Sequence, residues 1–113
     1  MKQYEIWLAK LPSIPGSSVQ QGTRPVVIVS NDAANEHSPV ITVVPLTSQL
    51  GKNALPTHVF LRNPMLERPS LALCEQILSV DKACLIRRVG WINKTFDRIA
   101  IQHALLVQLN MAA

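Results

Sequence analysis

Hydrophobic residues along this chain fall into short runs that are separated by polar residues, glycines and prolines. The segment from Tyr4 to Ala9 predicts a first strand, with Ile6 and Trp7 on opposite faces. Two runs that are apolar on both faces, Pro25 to Ser30 and Pro39 to Leu46, predict central strands. Three more short strands are predicted at 57–61, 71–77 and 86–91, divided by Pro64, Pro69 and a polar turn at 79–82.

The pattern changes at Asn93, after which apolar residues recur near the helical period. Asn93 or Thr95 can cap the start. The series predicts one amphipathic helix of about four turns that closes the domain. Its members are Phe96, Ile99, Ala100, His103, Val107 and Met111, with Leu106 beside them. The predicted fold class is therefore mainly β with a C-terminal helix: a small, curled, mostly antiparallel sheet or barrel with the helix packed on it.

Three segments are predicted to be loops or turns that connect the strands. Residues 11–23 form a loop of about 12 residues, a length that is more often functional than idle in so small a domain. Residues 31–38 read as a polar turn region, and residues 47–56, which include Gly51, read as another loop.

Composition limits the class of protein. The 113 residues are 48% apolar and 16% charged, which predicts one compact domain over residues 1–113 and argues against disorder. The net charge of +4 suits a polyanion such as nucleic acid. We find no signal peptide and no apolar run long enough for a membrane span. Cys74 and Cys84 form no metal-ligand pattern with the histidines, so we expect reduced thiols, a cytoplasmic protein, no metal and no cofactor.

Arg24 is the first candidate for chemistry, because it follows the flexible Gly22-Thr23 pair at the mouth of a buried strand. A guanidinium carries a planar fork of donors that matches a phosphate, although a solvated strand-end charge is the ordinary alternative. Thr47 ends the next central strand, where a hydroxyl forms a turn or holds a phosphate oxygen. If these two strands are antiparallel neighbours, Arg24 and Thr47 face one patch.

Glu75 and Gln76 lie in the otherwise apolar segment LALCEQI. A carboxylate within an apolar strand is usually paired, and the structural alternative is an ion pair with Arg24, Arg87 or Arg88. His37 and His58 are possible acid/base groups, but ordinary polar positions suit both, and His58 reads as an exposed strand residue. The sequence contains no Gly-rich phosphate loop, no Ser-His-Asp order and no paired-cysteine zinc signature.

Five segments together resemble the MazF/PemK toxins of bacterial type II toxin-antitoxin systems. They are EIWLAKL (5–11), QQGTRPVVIVSND (20–32), VVPLTSQ (43–49), LPTHVFL (55–61) and LALCEQILSVDKACL (71–85). The resemblance implies an SH3-like barrel of the CcdB/MazF/PemK type. It also implies a homodimeric, metal-independent endoribonuclease that cuts single-stranded RNA, usually mRNA, and that a cognate antitoxin blocks through an acidic disordered tail.

The resemblance also assigns residues. Arg24 matches the catalytic arginine, Thr47 the threonine or serine that works with it, and Glu75 an acidic position thought to transfer protons. Cleavage would yield a 2′,3′-cyclic phosphate and a 5′-hydroxyl, with cationic and hydrogen-bonding groups stabilising the phosphorane in place of a metal. The remaining RNA-binding candidates are Gln20, Gln21, Thr23, Ser48, Gln49 and Gln76.

The chain departs from the family pattern in the long loop and before Cys74. Val19 stands where many relatives have an acidic residue, Ser18 where the PemK branch has a histidine, and Leu73 where PemK has an arginine. The general base is therefore open: Glu75 supplies it, or the rate rests mainly on Arg24 and phosphate binding, or activity is weak. A degenerate relative that binds RNA without cutting it is one alternative function.

A second alternative is a non-catalytic gyrase poison on the same fold. Those CcdB toxins use a C-terminal tail that bears a tryptophan, whereas this chain ends in NMAA and keeps Arg24 and Thr47.

Dimerisation is expected because the apolar strands and helix leave more hydrophobic surface than a chain of this size covers, and because the family pairs through its barrel and helix.

Overall fold

A computed structural model describes residues 1–51 and 55–111. Most of these residues belong to seven strands and a C-terminal helix. The strands are β1 (Glu5–Leu11), β2 (Gly22–Ile28), β3 (Val40–Thr47), β4 (His58–Leu61), β5 (Ser70–Leu73), β6 (Leu78–Asp81) and β7 (Leu85–Trp91). The helices are α1 (Asp32–His37) and α2 (Thr95–Gln108), and 3-10 turns follow β5 at Cys74–Gln76 and β6 at Lys82–Cys84.

The strands form one curled antiparallel sheet in the order β4-β5-β3-β2-β1-β7, with β6 paired to the first half of β3. The two strands predicted to be central, β2 and β3, do lie side by side in the middle. Their alternating side chains serve two cores. Val27 packs in the core that also holds Ile101 of α2, whereas Val26 and Ile28 pack with Ile41 beneath the opposite face.

Strand β2 begins earlier than the sequence predicted. It starts at Gly22 instead of Pro25, because β1 continues to Leu11 and pairs with it as far as Leu11↔Gly22. Pro25 is tolerated inside the strand because β3 pairs with β2 only from Val26 onward, so the missing N–H interrupts no ladder on that side. Arg24 is therefore a residue of β2 itself and not a residue that precedes the strand.

Three other predicted segments are wrong. Residues 31–38 contain the short helix α1, whose N-cap Asn31 accepts a hydrogen bond from the Ala34 N–H, where a turn was expected. The single predicted strand 71–77 ends at Leu73, and the predicted turn at 79–82 lies largely within β6. The tight 3-10 turn at Cys74–Gln76 separates β5 from β6, a change of direction that an apolar run does not reveal.

Helix α2 confirms the predicted period but not the face that packs on the sheet. Ile101 and Ala104 are its buried residues, whereas Phe96 is 80% exposed and Ile99 is 59% exposed. Val107 and, just beyond the helix, Met111 are also exposed. Most of the stripe that the sequence singled out therefore faces outward, whereas Ala100 packs against the core. No described helix is long and apolar enough to cross a membrane.

Candidate active site

Arg24 lies in β2, opposite Ala9 of β1. Its Nε donates to the Gln21 carbonyl oxygen at 2.8 Å, which fixes the root of the guanidinium and leaves the terminal nitrogens for a ligand. Three ion pairs occur among the described residues, and Arg24 belongs to none of them. The guanidinium is thus held in place without being neutralised by a carboxylate.

Thr47 is the last residue of β3 and is buried. Strands β2 and β3 are antiparallel neighbours, so Arg24 near the start of β2 and Thr47 at the end of β3 lie toward the same edge, although the strands pair only from Val26↔Pro45 onward and Thr47 pairs with Leu71 of β5. The Thr47 hydroxyl oxygen accepts the Gln49 N–H at 3.1 Å, so it also shapes the turn after β3. The catalytic and structural interpretations of this hydroxyl are therefore compatible.

Arg24 opens into a cleft of about 500 Å³, which we call the arginine cleft. Its wall combines hydroxyls, cations and apolar surface. The residues that define it are Thr23, Arg24, Ser48, Arg68, Arg87 and Val89. Its polar lining comprises three guanidinium groups, the hydroxyls of Thr23, Ser48 and Ser70, and the carboxylate of Glu67. Because the cations outnumber this carboxylate, the concave surface is suited to an anionic ligand such as a phosphodiester.

A smaller cleft of about 220 Å³ lies on the other side of the end of β3. We call it the proline cleft and define it by Pro12, Ile14, Gln20, Pro45, Glu75 and Gln76. The consecutive β3 residues Pro45 and Leu46 each line one of the two clefts, and because successive strand side chains point to opposite faces, the clefts lie on opposite sides of β3. Apolar walls with a few polar groups suit the faces and edges of a nucleobase.

The predicted RNA-binding glutamines have different surroundings. The Gln20 N–H donates to the Gln76 side-chain oxygen at 2.7 Å, which ties the long loop to the 3-10 turn. The buried Gln20 side-chain oxygen finds no partner among the described residues. The Gln21 side chain bonds to Ser13 and Ile14 within the loop, so it braces the loop itself. Gln49 is exposed beyond β3.

Glu75 is in the 3-10 turn and not in a strand, and its partner is not an arginine. His58 Nε2 lies 2.9 Å from one carboxylate oxygen, and the Thr57 hydroxyl donates to the other at 3.3 Å. The expected pairing with Arg24, Arg87 or Arg88 is therefore wrong. Arg88 pairs with Glu5 instead.

His58 itself is not an exposed strand residue, since its side chain is only 12% exposed. The sequence suggested acid/base chemistry for His37 as well, but His37 is exposed and contacts only its neighbour Glu36.

The arrangement brings together Arg24, Thr23 and Ser48 in the arginine cleft, and it groups Glu75 with Gln20 and Gln76 in the proline cleft. Thr47 is at the same end of β3 but does not line either cleft. Residues 52–54 of the predicted loop at 47–56 lie outside the described residues.

Sequence reasoning missed the contributions of Arg68 and Arg87 to the arginine cleft. Arg87 reaches it because β7 pairs with Leu8 of β1, which in turn pairs with Pro25. Only the strand order reveals this alignment.

Within residues 1–51 and 55–111, no group of three His, Cys, Asp or Glu side chains could hold a metal ion. Burial raises the pKa of the Cys74 thiol to about 12, and the charge of Glu75 contributes to the same shift. A thiol with so high a pKa is a poor nucleophile or metal ligand at neutral pH.

The curled sheet with its terminal helix is an SH3-like barrel of the CcdB/MazF/PemK type, as solved structures confirm. MazF from Deinococcus radiodurans superposes with a TM-score of 0.81 at 19% identity, covering 98% of this chain and 97% of that one. Mycobacterium tuberculosis toxin MazF-mt6 gives 0.78 at 22% identity, covering 96% and 99%.

Sequence comparison is more specific than fold. A family model described as "PemK-like, MazF-like toxin of type II toxin-antitoxin system" matches residues 2–107. A protein named Endoribonuclease MazF from Staphylococcus epidermidis is 33% identical over 113 residues, which covers 98% of this chain and 92% of the relative. The chain therefore belongs to the PemK/MazF family of type II toxins.

Proposed function

We propose that this toxin is a metal-independent endoribonuclease that cuts single-stranded RNA, and mRNA in particular, in the cytoplasm. Residues 1–113 would act as one toxin domain, and cleavage would inhibit translation and growth. The observation that carries the proposal is Arg24, an anchored guanidinium that forms no ion pair among the described residues and opens into a cleft lined by two further arginines, three hydroxyls and one carboxylate, that of Glu67. Family membership supports the same activity.

In the proposed reaction, Arg24 and the Thr47 hydroxyl bind the scissile phosphate. The ribose 2′-oxygen attacks the adjacent phosphorus, and its proton passes to a general base. The bond to the 5′-oxygen breaks, that oxygen takes up a proton, and the products are a 2′,3′-cyclic phosphate and a 5′-hydroxyl. Arg24 stabilises the negative charge that develops on the phosphorane oxygens, a task that preorganised donors perform without a metal.

Glu75 is the candidate base. It lies in the proline cleft and Arg24 in the arginine cleft, so both residues contact one RNA strand only if that strand crosses the end of β3. The exposed Ser48 and Gln49 lie along this crossing and are candidates to contact the RNA, together with Thr23, Gln20 and Gln76.

The proposed partners follow from the same surfaces. Solved relatives include an endoribonuclease "in complex with its cognate antitoxin" from a mycobacterial species and MazE-MazF complexes from Deinococcus radiodurans. We expect an antitoxin here whose acidic, disordered tail competes with RNA for the arginine cleft.

We also expect a homodimer, because the exposed apolar stripe of α2 has no partner among the described residues of one chain.

The test is incubation of purified protein with a long single-stranded RNA in EDTA, with the product ends mapped. We expect cleavage to continue, with 5′-hydroxyl ends that a kinase can label directly and 3′ ends that ligate only after the cyclic phosphate is removed. Loss of cleavage in EDTA that one divalent ion restores would contradict the mechanism. Binding of RNA without cleavage would instead identify the degenerate relative, and inhibition of gyrase without cleavage the gyrase poison.

A further inference from the structure

We propose that His58 is a positioning residue that holds the Glu75 carboxylate in place for its part in RNA cleavage. The inference rests on the proposed function, and it concerns a residue to which the family resemblance assigned no role. It is carried by contacts between three consecutive elements: the residues before β4, β4 itself and the 3-10 turn after β5.

The chain brings the two side chains together through the β4–β5 pairing. His58 is the first residue of β4 and lies opposite Leu73, the last residue of β5. The Cys74 N–H then donates to the Thr57 carbonyl at 3.0 Å, which starts the 3-10 turn and folds Glu75 back over β4. The result is the 2.9 Å contact between His58 Nε2 and a Glu75 oxygen.

The remaining contact of the imidazole fixes its tautomer. The Leu55 N–H points at His58 Nδ1 at 3.3 Å, so Nδ1 is an acceptor and carries no proton. The proton of the neutral ring is then on Nε2, which donates it to Glu75. If Nδ1 carried a proton, its N–H would point at the Leu55 N–H, and the two donors would repel each other. In this arrangement His58 is a hydrogen-bond donor to the Glu75 carboxylate.

The carboxylate is held from both sides but is not closed off. The Thr57 hydroxyl donates to one oxygen and His58 to the other, whereas an ionised carboxylate offers about four acceptor sites. The Glu75 side chain is 25% exposed and lines the proline cleft, so acceptor sites remain for the RNA.

The experiment measures single-turnover RNA cleavage for His58→Leu, His58→Gln, Glu75→Gln and the double variant. We expect His58→Leu to slow cleavage about tenfold, the rate equivalent of one hydrogen bond to a charged group. His58→Gln should stay within about threefold of wild type, because its terminal amide supplies an N–H at a similar reach. Combined with Glu75→Gln, His58→Leu should cause no further loss, since both changes remove the same effect.

His37→Leu is the matched control, because it removes an exposed histidine that lines neither cleft. Melting temperatures on the same samples separate folding from rate. A His58→Leu protein that is folded and cuts at the wild-type rate would overturn the proposal. A loss that adds in full to that of Glu75→Gln would overturn it as well, because His58 would then act independently of Glu75.

A measurement without RNA separates this proposal from the proposed function. Nitrogen NMR of the histidine rings should show His58 in the tautomer protonated at Nε2, with its Nε2 signal shifted in Glu75→Gln and unchanged in His37→Leu. If the wild-type protein cuts no RNA although this signature is present, the proposed function fails and the His58–Glu75 contact stands. If His58 is protonated on Nδ1, the positioning role fails whatever the protein cuts.

Discussion

At the scale of single residues, Cys74 shows how the surroundings of the site control reactivity. Its side chain is fully buried beside Glu75, and its thiol pKa is raised to about 12. Cys84 is only half-buried and packs at the edge of the second core. The two free thiols therefore differ in access, and the raised pKa of Cys74 adds to its protection.

We predict that iodoacetamide at pH 8 modifies Cys84 in the folded protein and spares Cys74. A thiol with a pKa near 12 is ionised in only about one molecule in 10,000 at that pH, and the thiolate is the reactive form. Peptide mass spectrometry after timed labelling measures the two rates, and labelling in guanidinium provides the control in which both react. Equal labelling rates in the folded state would contradict the burial of Cys74.

Single residues also show where sequence reasoning reaches its limit. Residue type, position and resemblance single out Arg24, Thr47 and Glu75, and their chemical roles stay a prediction. The antiparallel pairing of the two central strands was predictable and is confirmed. The partner of Glu75 could not be predicted, because a carboxylate in an apolar run indicates only that some partner is needed. That partner, His58, is fixed by the β4–β5 register and the 3-10 turn.

At the scale of elements, helix α2 leaves an apolar stripe uncovered. A surface of this kind on one chain marks an interaction site, and burying one such aromatic or aliphatic side chain is worth about 1.5–3 kcal/mol. The helical period was predictable because it depends only on the spacing of apolar residues. Which of two neighbouring faces packs on the sheet was not, because both faces contain apolar side chains.

We predict that Phe96→Glu combined with Ile99→Glu converts a homodimer into monomers. The wild-type protein should sediment as a dimer at micromolar concentration, because the stripe would be buried between two chains. Gln108→Glu is the matched control, since it adds a negative charge to an exposed polar position of α2 and should leave the dimer intact. Monomeric wild-type protein, or a double variant that still sediments as a dimer, would contradict the assignment of this face.

At the scale of the whole molecule, the sheet places two unlike clefts on either side of the end of β3. The arginine cleft supplies cations from β2, β7 and the segment before β5, and the proline cleft supplies apolar walls from the long loop and β3. The mainly β class and the terminal helix were predictable from alternation and period. The grouping of Arg68 and Arg87 in one cleft could not be predicted, because it depends on the order of the strands and the curl of the sheet.

The central claim is that Arg24 stabilises the phosphorane, and the rate of RNA cleavage by Arg24→Ala tests it most directly. We predict a loss of about 100-fold or more, the size seen when a preorganised donor to a developing oxyanion is removed. Arg24→Lys should restore only part of the rate, because an ammonium cannot make the bidentate contact. Arg62→Ala, which removes an exposed arginine next to β4, should cut normally. A well-folded Arg24→Ala protein that cuts RNA at the wild-type rate would contradict the account.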